Sequence, residues 1–244
     1  MRYATAIAIV LGASVCLADS RGPSEAHVGI VTTEGAPGLF INPTSGTLAK
    51  GQVLSQFCVY TFELGGTTLS AWNAIGAYGI TDWLEVGGLL VDVRNDGRDF
   101  VGGPWVVARV LEERAWPELS VGAIFREGED SLRRRTVFAV ASKGFALGGD
   151  VSLRPLAGVR QLWETNDFDD TLFYAGAELG LPAHLYVVGE VTSEPEGVDE
   201  LPFSVGLQLR HPAGAAFSLG YVRAFGVEDD PGLFVGIGIN WGTD

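Results

Sequence analysis

From residue 50 onward, apolar and polar positions follow a repeating rhythm. Segments of about ten residues, rich in Val, Leu, Phe, Tyr, Gly and Ala, each end in a Gly, Pro, Asp or Asn cluster. The rhythm predicts strands over 51–63, 69–79, 83–93, 101–112, 118–126 and 133–143, and again over 150–163, 171–180, 184–193, 201–210, 214–225 and 232–241. Within several of them the alternation is strict. Phe203, Val205, Leu207 and Leu209 oppose Ser204, Gly206, Gln208 and Arg210; Val187 and Val191 oppose Val188 and Glu190. A period of two places each set on one side of a sheet. The segment 133–143 reads equally well in either register.

The connections sort by parity. Acids crowd the odd turns: 95–99, 127–130, 164–170, 194–200 and 228–230, with only Gly65-Gly66 free of them. The even turns read as short or uncharged: 80–82, Trp116-Pro117, 143–149, 181–183 and 211–214. In an up-and-down sheet, alternate turns lie at opposite ends, so strand order gathers the acids at one rim. Short turns on the inner side and longer loops outside are the habit of membrane barrels, as is an even strand count. The expectation is an all-β, up-and-down antiparallel membrane β-barrel of about twelve strands. A soluble β-sandwich or lipocalin-like barrel would alternate too. Against it stand aromatics grouped at similar depth, Phe125, Trp163, Phe173 and Phe203 toward one rim and Trp241 toward the other.

The beginning of the chain reads differently. Arg2, the apolar run Ala4 to Ala13 and the small residues near Ala18 make an export signal over 1–18. Acylation at Cys16 is the weaker alternative, since Val15 precedes it. Residues 19–50 are expected to form an extended periplasmic segment, serving as plug, linker or contact, and residues 51–244 the barrel domain. No later stretch approaches the length of a transmembrane helix. With the signal removed, Cys58 remains alone, so no disulfide forms within the chain.

A net charge of −14 argues against nucleic acid, which needs a basic face. Parity sends charges of both signs inward: Glu85, Arg109, Arg154 and Glu178 with Gln208 and Asn240 toward the inner half, and Arg160, Glu190 and Arg223 farther out. Charges at membrane depth must face protein or water, because lipid exposure of Arg or Lys at the midplane costs roughly 2–4 kcal/mol. The lumen is then either sealed by ion pairs or a narrow polar pore, and both stay open here.

Reactive chemistry finds little support. His27, His184 and His211 lack metal-ligand spacing, and no His stands near a Ser on the outer rim as a hydrolase would need. No cofactor, metal or catalytic residue is expected, and the chain is read as non-enzymatic. The expected partners are outer-membrane lipid and lipopolysaccharide, the latter through divalent ions on the acidic loops, together with polysaccharide-export proteins.

Two motifs resemble one family. Gly38-Leu39-Phe40-Ile41-Asn42-Pro43-Thr44, followed by Leu48 and Gly51, and the turn Tyr78-Gly79-Ile80-Thr81-Asp82-Trp83-Leu84-Glu85-Val86-Gly87 resemble segments of the YjbH-like outer-membrane barrels linked to exopolysaccharide production. The likeness spans about residues 38–90, and the chain is shorter than the polysaccharide-linked members. Gly236, Ile239 and Trp241 also resemble the closing strand signal of outer-membrane barrels, although Gly242-Thr243-Asp244 follow the aromatic. The resemblance implies a Gram-negative outer-membrane location and transport or assembly of envelope polysaccharide. It implies no catalytic residues. A non-conducting structural or partner-binding barrel is the alternative.

Overall fold

The computed structural model describes residues 38–64, 67–94, 98–128, 133–164, 169–194, 201–223 and 231–242. The signal region, residues 19–37 and the tips of the acidic odd turns lie outside the described residues. The strands are β1 (Val53–Leu64), β2 (Thr67–Thr81), β3 (Leu84–Arg94), β4 (Arg98–Leu111), β5 (Glu118–Arg126), β6 (Arg134–Ser142) and β7 (Phe145–Gly148), then β8 (Val151–Glu164), β9 (Asp169–Leu181), β10 (Leu185–Thr192), β11 (Phe203–Arg210), β12 (Ala215–Arg223) and β13 (Gly232–Trp241).

Every neighbouring pair is antiparallel, and the sheet closes on itself. β1 pairs with β13, placing Val53 opposite Trp241 and Tyr60 opposite Phe234. β6 pairs with β8 from Arg134–Glu164 to Ser142–Leu156. The short β7 continues β6 after a break at Lys143-Gly144 and pairs only with β8. Counted as one interrupted strand, β6 and β7 make this a closed twelve-strand barrel. Sequence rhythm treated 143–149 as a plain turn, because four paired residues behind a break carry no alternation that stands out.

The wall has two chemistries. On β12, Phe217, Leu219 and Tyr221 are exposed, whereas Ala216, Ser218, Gly220 and Val222 are buried. β13 repeats this, with Leu233, Ile237, Ile239 and Trp241 outside and Phe234 and Asn240 inside. On β6 the inner set is Thr136, Phe138, Val140 and Ser142, which resolves the open register. Aromatic residues mark both ends of the outer band. Tyr78, Val53 and Trp241 lie side by side across β2, β1 and β13 at the short-turn end, where Trp83 and Trp116 are also exposed. At the far end, Phe125 and Trp163 flank Arg135 in one row. A continuous exposed apolar band bounded by aromatics is the surface that a hydrocarbon layer covers. In water it would be a patch far larger than soluble monomers carry.

Candidate functional site: the filled lumen

The interior is a packed core built partly from residues outside the wall. Residues 38–48 enter the barrel and are buried throughout, with Leu39, Phe40 and Asn42 fully enclosed. The segment, hereafter the strap, contributes Leu39, Phe40, Ile41 and Leu48 to a cluster with Tyr60, Trp105, Ile124, Phe138, Tyr174, Val188 and Phe234 from the wall. Its first turn is tight: Gly38 bridges Pro43, and the Leu39 amide donates to the Asn42 carbonyl at 3.1 Å.

Glu190 holds that turn. One carboxylate oxygen accepts the Phe40 and Ile41 amides at 2.9 and 2.6 Å, and the other accepts the Asn42 amide at 2.9 Å and Asn42 Nδ2 at 2.8 Å. Ser204 Oγ adds a fifth donor at 2.6 Å. Three successive amides in a turn form a concave cradle for an anion, and here the anion is a wall side chain. Asn42 Nδ2 also reaches Thr192, and the Tyr174 hydroxyl donates to the Pro43 carbonyl at 3.2 Å. Gln208 Nε2 donates to the Leu39 carbonyl at 3.2 Å.

The strap then crosses the lumen. Ser45 Oγ donates to Glu118 at 2.8 Å and lies beside the Ser142 hydroxyl, while Ser120 donates to the Ser45 carbonyl. Farther on, the Leu48 amide donates to Glu85 at 2.6 Å, and Lys50 N–H meets Asp82 at the lip. Three carboxylates on separate strands, Glu190, Glu118 and Glu85, thus grip three points along residues 40–48. Charge-assisted bonds of this kind are about twice as strong as neutral ones.

Shape complements the charges. Gly206 on β11 stands directly opposite Gly220 on β12, which is itself opposite Phe234 on β13. The Phe40 ring lies over this bare patch; a Cβ on Gly206 or Gly220 would come within 2.8 or 2.9 Å of its Cζ. Phe40 meets Phe234 edge to face, with ring centroids 5.1 Å apart. At the exit, the Ala49 carbonyl sits where a Gly79 side chain would project.

The charged positions singled out in the sequence divide as follows. Glu85, Arg160, Glu178, Glu190 and Gln208 are buried inside, and Arg109 and Arg154 are inside and partly buried. Arg109 pairs with Glu118 at 3.3 Å. Arg210, which parity had also sent inward, pairs with Glu178, bonds Gln208 and stacks over Tyr186 at 4.4 Å. Arg223 is not in the lumen. It shares the outer face with Leu219 and Tyr221 and lies 5.5 Å from the Phe203 ring centroid. The small residues Ala216, Ser218 and Gly220 fix the register of β12, and that register turns Arg223 outward near the rim, where a long side chain reaches polar surroundings. Gly38, Asn42, Pro43 and Thr44 all belong to the strap.

The turn between β4 and β5 is longer than the Trp116-Pro117 turn read from the sequence and carries charges. It spans 112–117 and tucks Glu113 beneath the barrel mouth, where it meets Arg154 at 3.0 Å and the Gly144 amide at 2.9 Å. Beside it, between β7 and β11, a cavity of about 520 Å³ opens at the short-turn end. His184 and His211 occupy neighbouring turns with ring centroids 6.5 Å apart. Among the described residues no three His, Cys, Asp or Glu side chains converge to hold a metal.

No protein family matches the chain, and no curated protein matches its sequence. Solved structures to which it is similar are outer-membrane barrels. An outer membrane channel from Pseudomonas putida F1 is 15% identical with a TM-score of 0.45, covering 80% of this chain and 97% of that one. The translocator domain of the autotransporter NalP from Neisseria meningitidis is 11% identical with a TM-score of 0.34, covering 99% and 96%. A mutant porin of Rh. blastica is 10% identical with a TM-score of 0.35, covering 78% and 99%.

Proposed function

We propose that this chain is a Gram-negative outer-membrane barrel, exported through a cleaved signal over residues 1–18, whose lumen is held shut by its own strap. The exposed apolar band supports residence in lipid, and the Glu190 cradle carries the rest of the reading. A carboxylate that accepts five hydrogen bonds inside a packed lumen fixes the strap in one position. A barrel closed in this way does not conduct at rest. Passage of any polymer requires the strap to leave, so transport or assembly of envelope polysaccharide, the role suggested by the motifs at 38–90, is a gated activity here. The motif residues Gly38, Asn42, Pro43 and Thr44 then serve closure rather than cargo. The acidic outer loops bind lipopolysaccharide phosphates through divalent ions, and the chain has no catalytic role.

A second reading is favoured by the depth of packing: a permanently closed barrel that acts as a structural or partner-binding element. Planar-bilayer recording separates the two. Wild-type protein is expected to be silent, Glu190→Gln to open intermittently, and a variant lacking residues 38–48 to conduct steadily with a preference for cations. A silent deletion variant that still shows the heat-dependent gel shift of a folded barrel would favour the permanently closed element. Steady wild-type conductance equal to that of the variants would overturn closure by the strap.

A further inference from the structure

Closure of the barrel leaves one stretch of strand with a bare edge. β6 pairs with β8 down to Ser142, and there the ladder fails. The Lys143 amide donates to the Pro155 carbonyl at 3.2 Å, but Pro155 has no N–H to return. The chain then resumes as β7, which pairs with β8 alone. Among the described residues, no backbone group of Phe145–Gly148 bonds to any other element. The neighbouring 112–117 turn reaches Gly144 through the Glu113 carboxylate and supplies β7 no strand. Sheet edges are commonly guarded by charges or Pro. Phe145-Ala146-Leu147-Gly148 has neither, and Leu147 is 57% exposed; only shortness and a bulge between Ala146 and Gly148 blunt it. An edge with open N–H and C=O groups accepts an added strand.

Four residues make few ladder bonds. That favours a tethered occupant, because a short tether supplies an effective concentration in roughly the millimolar range. The chain carries one. Val28-Gly29-Ile30-Val31-Thr32-Thr33, outside the described residues, is rich in the β-branched types that suit a pleated strand. The strap aims it at β7. Gly38 bridges Pro43 in the antiparallel sense, so the chain arriving at Gly38 comes from the side toward which Pro43 departs. That departing chain brings Ser45 beside Ser142, the last residue of β6. Two steps lead from Pro43 to Ser45 and three from Ser142 to Phe145; five separate Gly38 from Thr33. Thr33 therefore comes level with Phe145, and the segment runs toward the lumen as β7 runs away from it. We propose that residues 28–33 add to the free edge of β7 as an antiparallel strand, with Val31 near Leu147. The strap is then anchored at the inner mouth on its upstream side as well as at β1.

The test uses the exported chain folded in detergent micelles, with Cys58→Ser as background. Val31→Cys and Leu147→Cys together should form an intramolecular disulfide under mild oxidation, which needs Cα atoms within about 7 Å. Its rate should exceed at least about tenfold that of Val31→Cys with Ala213→Cys on the β11–β12 turn, where that approach is not made. Equal rates, or a crosslink that joins two chains, overturn the proposal. Hydrogen exchange supplies a second readout that needs no cysteine. Amides of Phe145–Gly148 should be protected in the wild type. Side chains and amides alternate along a strand, so one of Ile30→Pro and Val31→Pro must remove a donor facing β7 and speed that exchange. Fast exchange in the wild type, or protection indifferent to both variants, overturns the proposal too. None of these readouts depends on conductance, so failure here is distinguishable from failure of strap closure.

Discussion

The two faces of β11 to β13 are made from the same few residue types and behave oppositely. Outside, Leu207, Leu219 and Ile237 stand apart, each more than a third exposed, with nothing specific to fit. Inside, Gly206, Gly220 and Phe234 leave a hollow of one shape that one ring fills. Lipid accepts any apolar outline, so the outer face is a composition. The inner face is a fit, and fits are sensitive to single atoms. The contrast predicts that inner substitutions act through shape and outer ones through polarity.

The largest effect should come from Phe234→Ala. Loss of a fully buried aromatic costs about 3–5 kcal/mol, read as lowered urea resistance of protein folded into vesicles. If the loss were below about 1 kcal/mol, smaller than a typical buried-aromatic truncation, the lumen would not be a packed core. Leu219→Arg, at the middle of β12 on the outside, should cost about 2–4 kcal/mol in the same assay. Wild-type stability in that variant would remove the lipid from this face. Because Val188 is fully buried beside Gly206, Val188→Arg should harm folding at least as much as Val187→Arg on the outer face.

Glu190→Gln comes next, since it keeps the shape and removes the charge. Hydrogen bonds to charged groups contribute about 1.5–3 kcal/mol, so the strap should loosen while the wall holds. Hydrogen exchange at the amides of residues 40–42 should accelerate while that of β12 stays slow; unchanged exchange would mean that packing alone seats the turn. Smallest is Arg114→Ala. Its partner Glu112 is 3.0 Å away, but both side chains are mostly exposed, and such pairs contribute less than about 1 kcal/mol.

The wall was legible because alternation is a one-dimensional signal. Strict strands such as Phe203–Arg210 announce both faces without knowledge of their neighbours. Where Val, Ala and Phe follow each other in β6, either register is apolar enough, and only pairing with β5 and β8 decides. Arg223 misled because an Arg in a strand pattern suggests a lumen, whereas its depth near the rim permits an outward position. For the strap the sequence left plug, linker and contact open, since Leu39-Phe40-Ile41 alternates with nothing. Its trace was elsewhere, in glycines at inward positions of consecutive strands, Gly206 and Gly220. Pairing them requires the register first. The cluster at Glu113 was hidden for a similar reason: it needs the turn at 112–117 to fold under the mouth.

The order of the three carboxylate grips gives the closure a mechanical direction. Tension applied from the β1 end meets Lys50 on Asp82 at the lip, then Leu48 on Glu85, then Ser45 on Glu118, and the turn on Glu190 last. These contacts are spread along the segment and are loaded in turn, so the strap peels in steps. Tension applied at Gly38 meets the turn first, and its amides share the load across one carboxylate. The same bonds therefore make a weak latch when pulled from one end and a strong one when pulled from the other.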